Sequence, residues 1–299
     1  MTTLQALCAD GPQLSPIVAG AWRMGDWQMD AQQRLRWIQG CVDQGVTSFD
    51  HADIYGGYTV EALFGEALAL APGLRERLQL VSKCGIKLVS PQRPQHRLKS
   101  YDTSRGHIVA SVEASLKALR TDRLDLLLIH RPDALMDAAE IAEAFAALKQ
   151  AGKVLHFGVS NFTPSQFELL DAFTPLATNQ IELHPLHLEP LHDGTLDQAQ
   201  RLRRRPMSWS PLAGGRLLTG SDEAAQRVQR VLRELAADHG CSPATVAYAW
   251  LLRHPSRPLP VAGSRRPEAL AEALAARALA LDAEAWYAIW QAGAGREVP

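Results

Sequence analysis

The sequence predicts a (β/α)8 TIM barrel, on three observations. Eight short apolar runs rich in branched residues recur along the 299 residues, helical spacings fill the stretches between them, and no G-x-G-x-x-G follows the first run. Strict alternation of strand and helix calls for a parallel sheet, because each strand must be carried back to the same edge by a crossover. Eight such units favour closure. The alternative, an open doubly wound sheet, would ordinarily carry a glycine-rich dinucleotide turn after its first strand.

The candidate strands cover residues 17–22, 46–50, 78–83, 124–130, 154–160, 178–183, 206–210 and 259–263. Most are apolar on both faces, as strands between a core and covering helices must be. In 107–120 the residues Ile108, Val112, Leu116 and Leu119 form one buried helical stripe, and Ile141, Phe145 and Leu148 do the same in 137–150. Thr163-Pro164-Ser165-Gln166 reads as a capping box with proline at the first helical position, and Ser242-Pro243 repeats the cap-plus-proline signal. Residues 1–16, with a turn at Asp10-Gly11, are expected to form a short hairpin before the barrel, and 282–299 an extra C-terminal helix and tail. No linker or repeat divides the chain, so 1–299 is expected to be a single domain.

Composition narrows the partners. With 31 Lys and Arg against 32 Asp and Glu, the chain has no general attraction for nucleic acid or anionic lipid. No apolar run approaches the roughly 18 residues of a membrane span. The start, MTTLQALCAD, lacks the pattern of a signal peptide, so a cytoplasmic address is expected. Cys8, Cys41, Cys84 and Cys241 stand far apart, which argues against a zinc cage or disulfide framework and for small buried hydrophobes. No metal site is expected, and oligomeric state is not readable.

In such a barrel the active site lies at the carboxyl ends of the strands. Here the second candidate strand ends in Asp50, the third in Lys83 and the fourth in His130, while Tyr55 follows on the loop after Asp50. An ammonium beside a tyrosine favours phenolate and lowers its pKa from about 10. Asp50 pairs naturally with Lys83, and a neutral His130 can orient a substrate carbonyl. The set suits protonation of an oxyanion formed by hydride attack. Singly, each residue has a plain structural reading: a rim salt bridge, a loop cap, a packed aromatic, a core histidine. A Schiff-base role for Lys83 is a further alternative. Their joint placement at successive strand ends favours chemistry.

The run Phe49-Asp50-His51-Ala52-Asp53-Ile54-Tyr55-Gly56, with Glu61 and Gly65 beyond, resembles the D-x-A-x-x-Y-G-x-E signature of the aldo-keto reductases. Val81-Ser82-Lys83, Leu128-Ile129-His130, Gly158-Val159-Ser160-Asn161-Phe162 and Thr178-Asn179-Gln180 match later motifs in order, so the resemblance spans essentially the whole chain. Gly25-Asp26-Trp27 together with His51 to Tyr58 is similar to a bacterial branch, the YdhF-type oxidoreductases. The resemblance implies reduction of a small-molecule aldehyde or ketone by NADPH, with NADH possible. Tyr55 would be the general acid, Lys83 and Asp50 would tune it, and His130 would position the carbonyl. It also implies that Ser160, Asn161 and Gln180 hold the nicotinamide carboxamide and that Trp209 stacks on the ring. Loops after the seventh and eighth strands often bind phosphate in barrels. Here they supply Ser210, Leu212, Gly214 and Arg216 for the pyrophosphate, and Gly263, Ser264, Arg265 and Arg266 for the 2′-phosphate. The family's downstream arginine falls near Ala269, so Arg265 and Arg266 must substitute for it if NADPH is strongly preferred.

His51 is expected to be structural, its side chain alternating away from that of Asp50. Trp22, Met24 and Trp27 are candidates for an apolar substrate wall, or for packing against the rim. The long segment 85–105, with Lys87, Arg93, His96, Arg97, Lys99 and Arg105, is either a lid or a surface excursion. His184, His187 and His192 read as rim residues, and Arg203-Arg204-Arg205 as a solvated helix end. Because some members of the family are nicotinamide-binding regulatory subunits with slow turnover, a redox-sensing role is the alternative function.

Overall fold

A computed structural model describes residues 4–299, so the first three residues of the expected hairpin lie outside the described residues. The barrel strands are β1 (Val18–Gly20), β2 (Ser48–Asp50), β3 (Gln79–Cys84), β4 (Leu124–Ile129), β5 (Val154–Ser160), β6 (Asn179–Glu182), β7 (Met207–Trp209) and β8 (Leu259–Ala262). All neighbours are parallel, and the sheet closes where β8 pairs with β1 through Val261 opposite Val18 and Ala262 opposite Ala19. The closed barrel replaces the open-sheet alternative. The expected strands match the observed ones to within about two residues at each end, because strand pairing stops where the chain bends out into a loop.

Two apolar layers hold the barrel. Inside it, Val18, Val81, Leu126, Leu128, Met207 and Val261 pack together, and Leu7 and Leu14 join them from the amino end. Those two leucines belong to the hairpin Gln5–Ala6 with Gln13–Leu14, which plugs the bottom of the barrel. Arg205 anchors the plug through Gln5 and pairs its backbone N–H with Leu7 O, while Arg204 bridges to Asp171. The arginine run is therefore partly tied into the amino end instead of being fully solvated.

Outside, helices cover the sheet and start where the sequence marks them. Thr163 and Gln166 form the reciprocal capping box that opens helix Pro164–Asp171, and the Ser242 hydroxyl accepts from Thr245 N–H at 3.1 Å to open Pro243–Arg253. The helices expected over 107–120 and 137–150 appear as Arg105–Leu119 and Ala138–Gln150. Gly65, on helix Val60–Leu68, lies so close to Arg105–Leu119 that an added Cβ would sit 2.1 Å from the Ala118 carbonyl oxygen. Beyond the eighth strand, Ala283–Ala294 is the expected extra helix. It packs on a second extra helix, Glu223–His239, inserted between β7 and Pro243–Arg253, which the reading of the sequence did not separate. Among the described residues, no helix is long and apolar enough to cross a membrane.

Candidate active site

The carboxyl ends of β2, β3 and β4 bring Asp50, Lys83 and His130 to one mouth, with Tyr55 on the turn that follows β2. Lys83 is the hub. Its Nζ donates to Asp50 Oδ2 at 2.7 Å and to the His51 backbone oxygen at 2.8 Å, and lies 2.9 Å from the Tyr55 hydroxyl. Asp50 also accepts from Gln180 Nε2 at 2.8 Å through its other oxygen. Lys83 is 1% and Asp50 2% exposed, so the pair is tolerable only because nearly every polar atom has a partner. Burial alone would lower the Lys83 pKa, but Asp50 and Tyr55 outweigh it and hold the ammonium above its ordinary value.

Tyr55 departs from expectation. Burial outweighs the Lys83 ammonium, Asp50 opposes that ammonium, and the phenol is pushed up to about 12 instead of being lowered. Tyr55 therefore keeps its proton at neutral pH, with the Lys83 ammonium 2.9 Å from its oxygen. His130 meets Tyr55 edge to face with centroids 6.0 Å apart. Burial, followed by Lys83, Arg131 and Lys99, holds its pKa well below the usual value, so the ring is neutral. Its buried Nδ1 has no partner among the described residues.

A groove of about 490 Å³ runs from this cluster toward the loops after β7 and β8. Ser160, Asn161, Gln180, Trp209, Ser210, Leu212, Gly214, Gly263, Ser264 and Arg266 all line it. They form a connected set: Ser160 Oγ donates to Gln180 O, Asn161 Nδ2 donates to Ser160 Oγ, and Trp209 Nε1 donates to Asn161 Oδ1, at 2.9, 2.7 and 3.0 Å. Asn161 and Ser210 adopt left-handed backbone at φ 60° and 50°, a strain that clusters at functional sites. Gly215 at φ 105° needs glycine outright, and a Cβ on Gly214 would come 3.3 Å from the Arg23 guanidinium. Arg23 donates to Gly214 O at 3.2 Å, tying the loop after β1 to the loop after β7. Trp37, on helix Ala31–Asp43, pins the Ser264 carbonyl at 3.1 Å. A flat indole, amide and hydroxyl donors, close-approach glycines and a cation at the far end suit a nicotinamide dinucleotide.

Other expected site residues lie elsewhere. Arg216 is exposed and paired with Asp222 at 3.0 Å, because it opens helix Arg216–Thr219 and turns outward. Arg265 is exposed and does not line the groove, whereas Arg266 and Ala269 do. Trp22 lines the mouth at 57% exposure, but Met24 is core at 1% and Trp27 packs edge to face on Trp37. A short 3-10 turn, Met24–Trp27, rolls those two side chains inward. His51 turns away as expected, its ring against Phe64 at 4.5 Å, although its backbone oxygen serves Lys83.

The segment 85–105 does not roof the groove. It folds into a small hairpin, Ile86–Lys87 with Ser100–Tyr101, held to the turn after β2. Leu88 N–H donates to Tyr58 Oη at 2.8 Å, and Arg93 lies 4.5 Å over the Tyr58 ring. His184 is held by Glu182 at 3.0 Å and by the Leu186 N–H, and His192 sits edge-on to Trp290. Reading the sequence missed Arg23, Arg131 and Glu272 in the groove wall. Arg131 carried a signal, since it directly follows His130 at a strand end.

A closed parallel barrel with this mouth belongs to the oxidoreductase barrels. The chain is a member of the aldo/keto reductase family, which it matches over residues 16–293. It is 51% identical to the oxidoreductase YdhF of Escherichia coli K12, covering 98% of both chains. It is 43% identical to a 6-dehydroglucose reductase of Agrobacterium fabrum, covering 97% of this chain and 98% of that one. The glycerol dehydrogenase structure from Gluconobacter oxydans superposes with a TM-score of 0.85 at 25% identity, covering 99% of this chain and 96% of that one. The expected bacterial branch is thus the one found. The chain is an oxidoreductase of a family that acts on small carbonyl compounds with a nicotinamide cofactor.

Proposed function

We propose that the protein reduces an aldehyde or ketone to the alcohol with NADPH, Tyr55 supplying the proton. The observation that carries this reading is the Lys83 hub, which joins a protonated Tyr55 to Asp50 beside a neutral His130. A bound reduced nicotinamide supplies the hydride. Ser160, Asn161 and Gln180 would hold its carboxamide, Trp209 would support the ring, and the loops after β7 and β8, with Arg266, would hold its phosphates. His130 has an unused polar edge with which to orient the carbonyl. As charge develops on the carbonyl oxygen, Tyr55 releases its proton to that atom and Lys83 stabilises the phenolate. Asp50 keeps Lys83 in place and charged. Burial of Lys83 and Asp50, at 1% and 2% exposure, keeps bulk water from the pair that sets the charge beside Tyr55.

The test is NADPH oxidation, followed by loss of its absorbance, against aromatic, aliphatic and polyhydroxylated aldehydes. The last are included because the Agrobacterium relative is named a 6-dehydroglucose reductase. Tyr55→Phe should abolish turnover while NADPH still quenches tryptophan fluorescence. Arg266→Ala should weaken NADPH more than NADH. Cofactor binding without turnover on any substrate would instead support a redox-sensing role, and equal loss of both cofactors would reject Arg266 as the 2′-phosphate contact.

A further inference from the structure

The charges around the mouth are unbalanced. Of the acids lining the groove, Asp50 is spent on Lys83, and Glu272 lies on helix Pro267–Ala275 after β8, the element that also brings Ala269 to the groove and is capped by Arg266. At the end where Tyr55 and His130 lie, the wall carries Arg131, one residue beyond His130. Its guanidinium rests 5.7 Å from the centroid of the Trp209 indole. Among the described residues no carboxylate lies within 4.0 Å of it, since every ion pair there uses other side chains. An arginine presents five donors in a planar fork matched to an oxyanion, and among the described residues the Arg131 fork makes no side-chain ion pair. Lys99, from the small hairpin segment, adds a second positive charge whose field reaches His130. His130 itself is neutral and the Lys83 charge is matched by Asp50, so net positive potential at the mouth comes from residues outside the proton-transfer set.

We infer that Arg131 determines specificity by binding an oxyanion, such as a carboxylate or phosphate, carried on the substrate a few bonds from the carbonyl. The inference rests on the reductase reading and narrows its substrate class to anionic aldehydes and ketones. Trp209 lies within cation–π range of the guanidinium carbon at 5.7 Å, which favours a guanidinium held at the mouth and lessens the ordering needed when an anion binds. A neutral aldehyde leaves that fork facing water.

The experiment compares matched pairs, succinic semialdehyde against butanal and glyceraldehyde 3-phosphate against glyceraldehyde, with wild type, Arg131→Gln and Arg131→Lys. Wild type should prefer the anionic member of at least one pair. In Arg131→Gln that preference, as a ratio of kcat/KM values, should fall about ten- to a hundredfold, the range of a charge-assisted hydrogen bond. Arg131→Lys should restore part of it. Turnover without a charge preference in wild type overturns the inference alone. So does an equal loss for both members of each pair, or a fall in NADPH affinity that accounts for the loss, either of which would make Arg131 a support for Trp209. No turnover of any aldehyde overturns the reductase reading and the inference together.

Discussion

Removing the Lys83 ammonium by Lys83→Met leaves the Asp50 carboxylate 2% exposed, with Gln180 Nε2 at 2.8 Å as its one remaining side-chain partner. Three contacts between 2.7 and 2.9 Å disappear at once. Stranding one member of a buried ion pair costs about 3–5 kcal/mol. Asp50→Asn should cost a similar amount, since it strands an ammonium that is 1% exposed. The double variant buries neither charge, so its cost should fall short of the sum by about 2–3 kcal/mol. Urea unfolding of the four proteins, followed by circular dichroism, gives the coupling directly. Additivity within about 0.5 kcal/mol would refute the view that the two charges exist in this core only by virtue of each other. Turnover should fall at least about a hundredfold in each single variant and should not return in the double, because the phenolate of Tyr55 then has no cation beside it.

His51 gives the fold an acid limit. Burial and Lys83 hold its pKa down to about 3, against an ordinary value of 6.5, so below 6.5 the unfolded chain takes up a proton that the folded chain refuses. Stability present above pH 6.5 is therefore lost as pH falls toward 3, by about 3 kcal/mol at pH 4.5. His51→Leu should reduce the loss of stability between pH 7 and 4.5 in urea unfolding by about 3 kcal/mol, leaving the share of other neutral histidines such as His130, and an unchanged loss would contradict the assignment. Gly65→Ala drives a methyl into the Ala118 carbonyl and should cost about 3 kcal/mol in thermal or urea unfolding. An unchanged midpoint would show that the two helices can part without penalty.

Much of this was legible in the sequence because barrel geometry turns order along the chain into position around a ring. Once the runs ending in Asp50, Lys83 and His130 are read as successive strands, their convergence follows. Loops follow no such rule. Nothing in the spacing says that Met24 and Trp27 turn inward while Trp22 stays at the mouth, since that depends on a single 3-10 turn. Arg216 and Arg265 had suitable neighbours in sequence, yet helix starts at Arg216 and Pro267 aim them at solvent or at Asp222. The direction of the Tyr55 shift was also hidden. It depends on how completely the phenol is buried against how close the ammonium comes, a balance of two large opposing effects that only coordinates supply.

The hairpin that plugs the amino end makes the barrel a blind vessel with one aperture. Gln180 and Ser160 lie at its floor with about 1% exposure, whereas Trp22 stands at the rim at 57%. Whatever docks on the floor must arrive before anything seated at the rim and can leave only after it. With the cofactor and the carbonyl placed as proposed, the expected queue is dinucleotide first, carbonyl second, alcohol out and oxidised dinucleotide last.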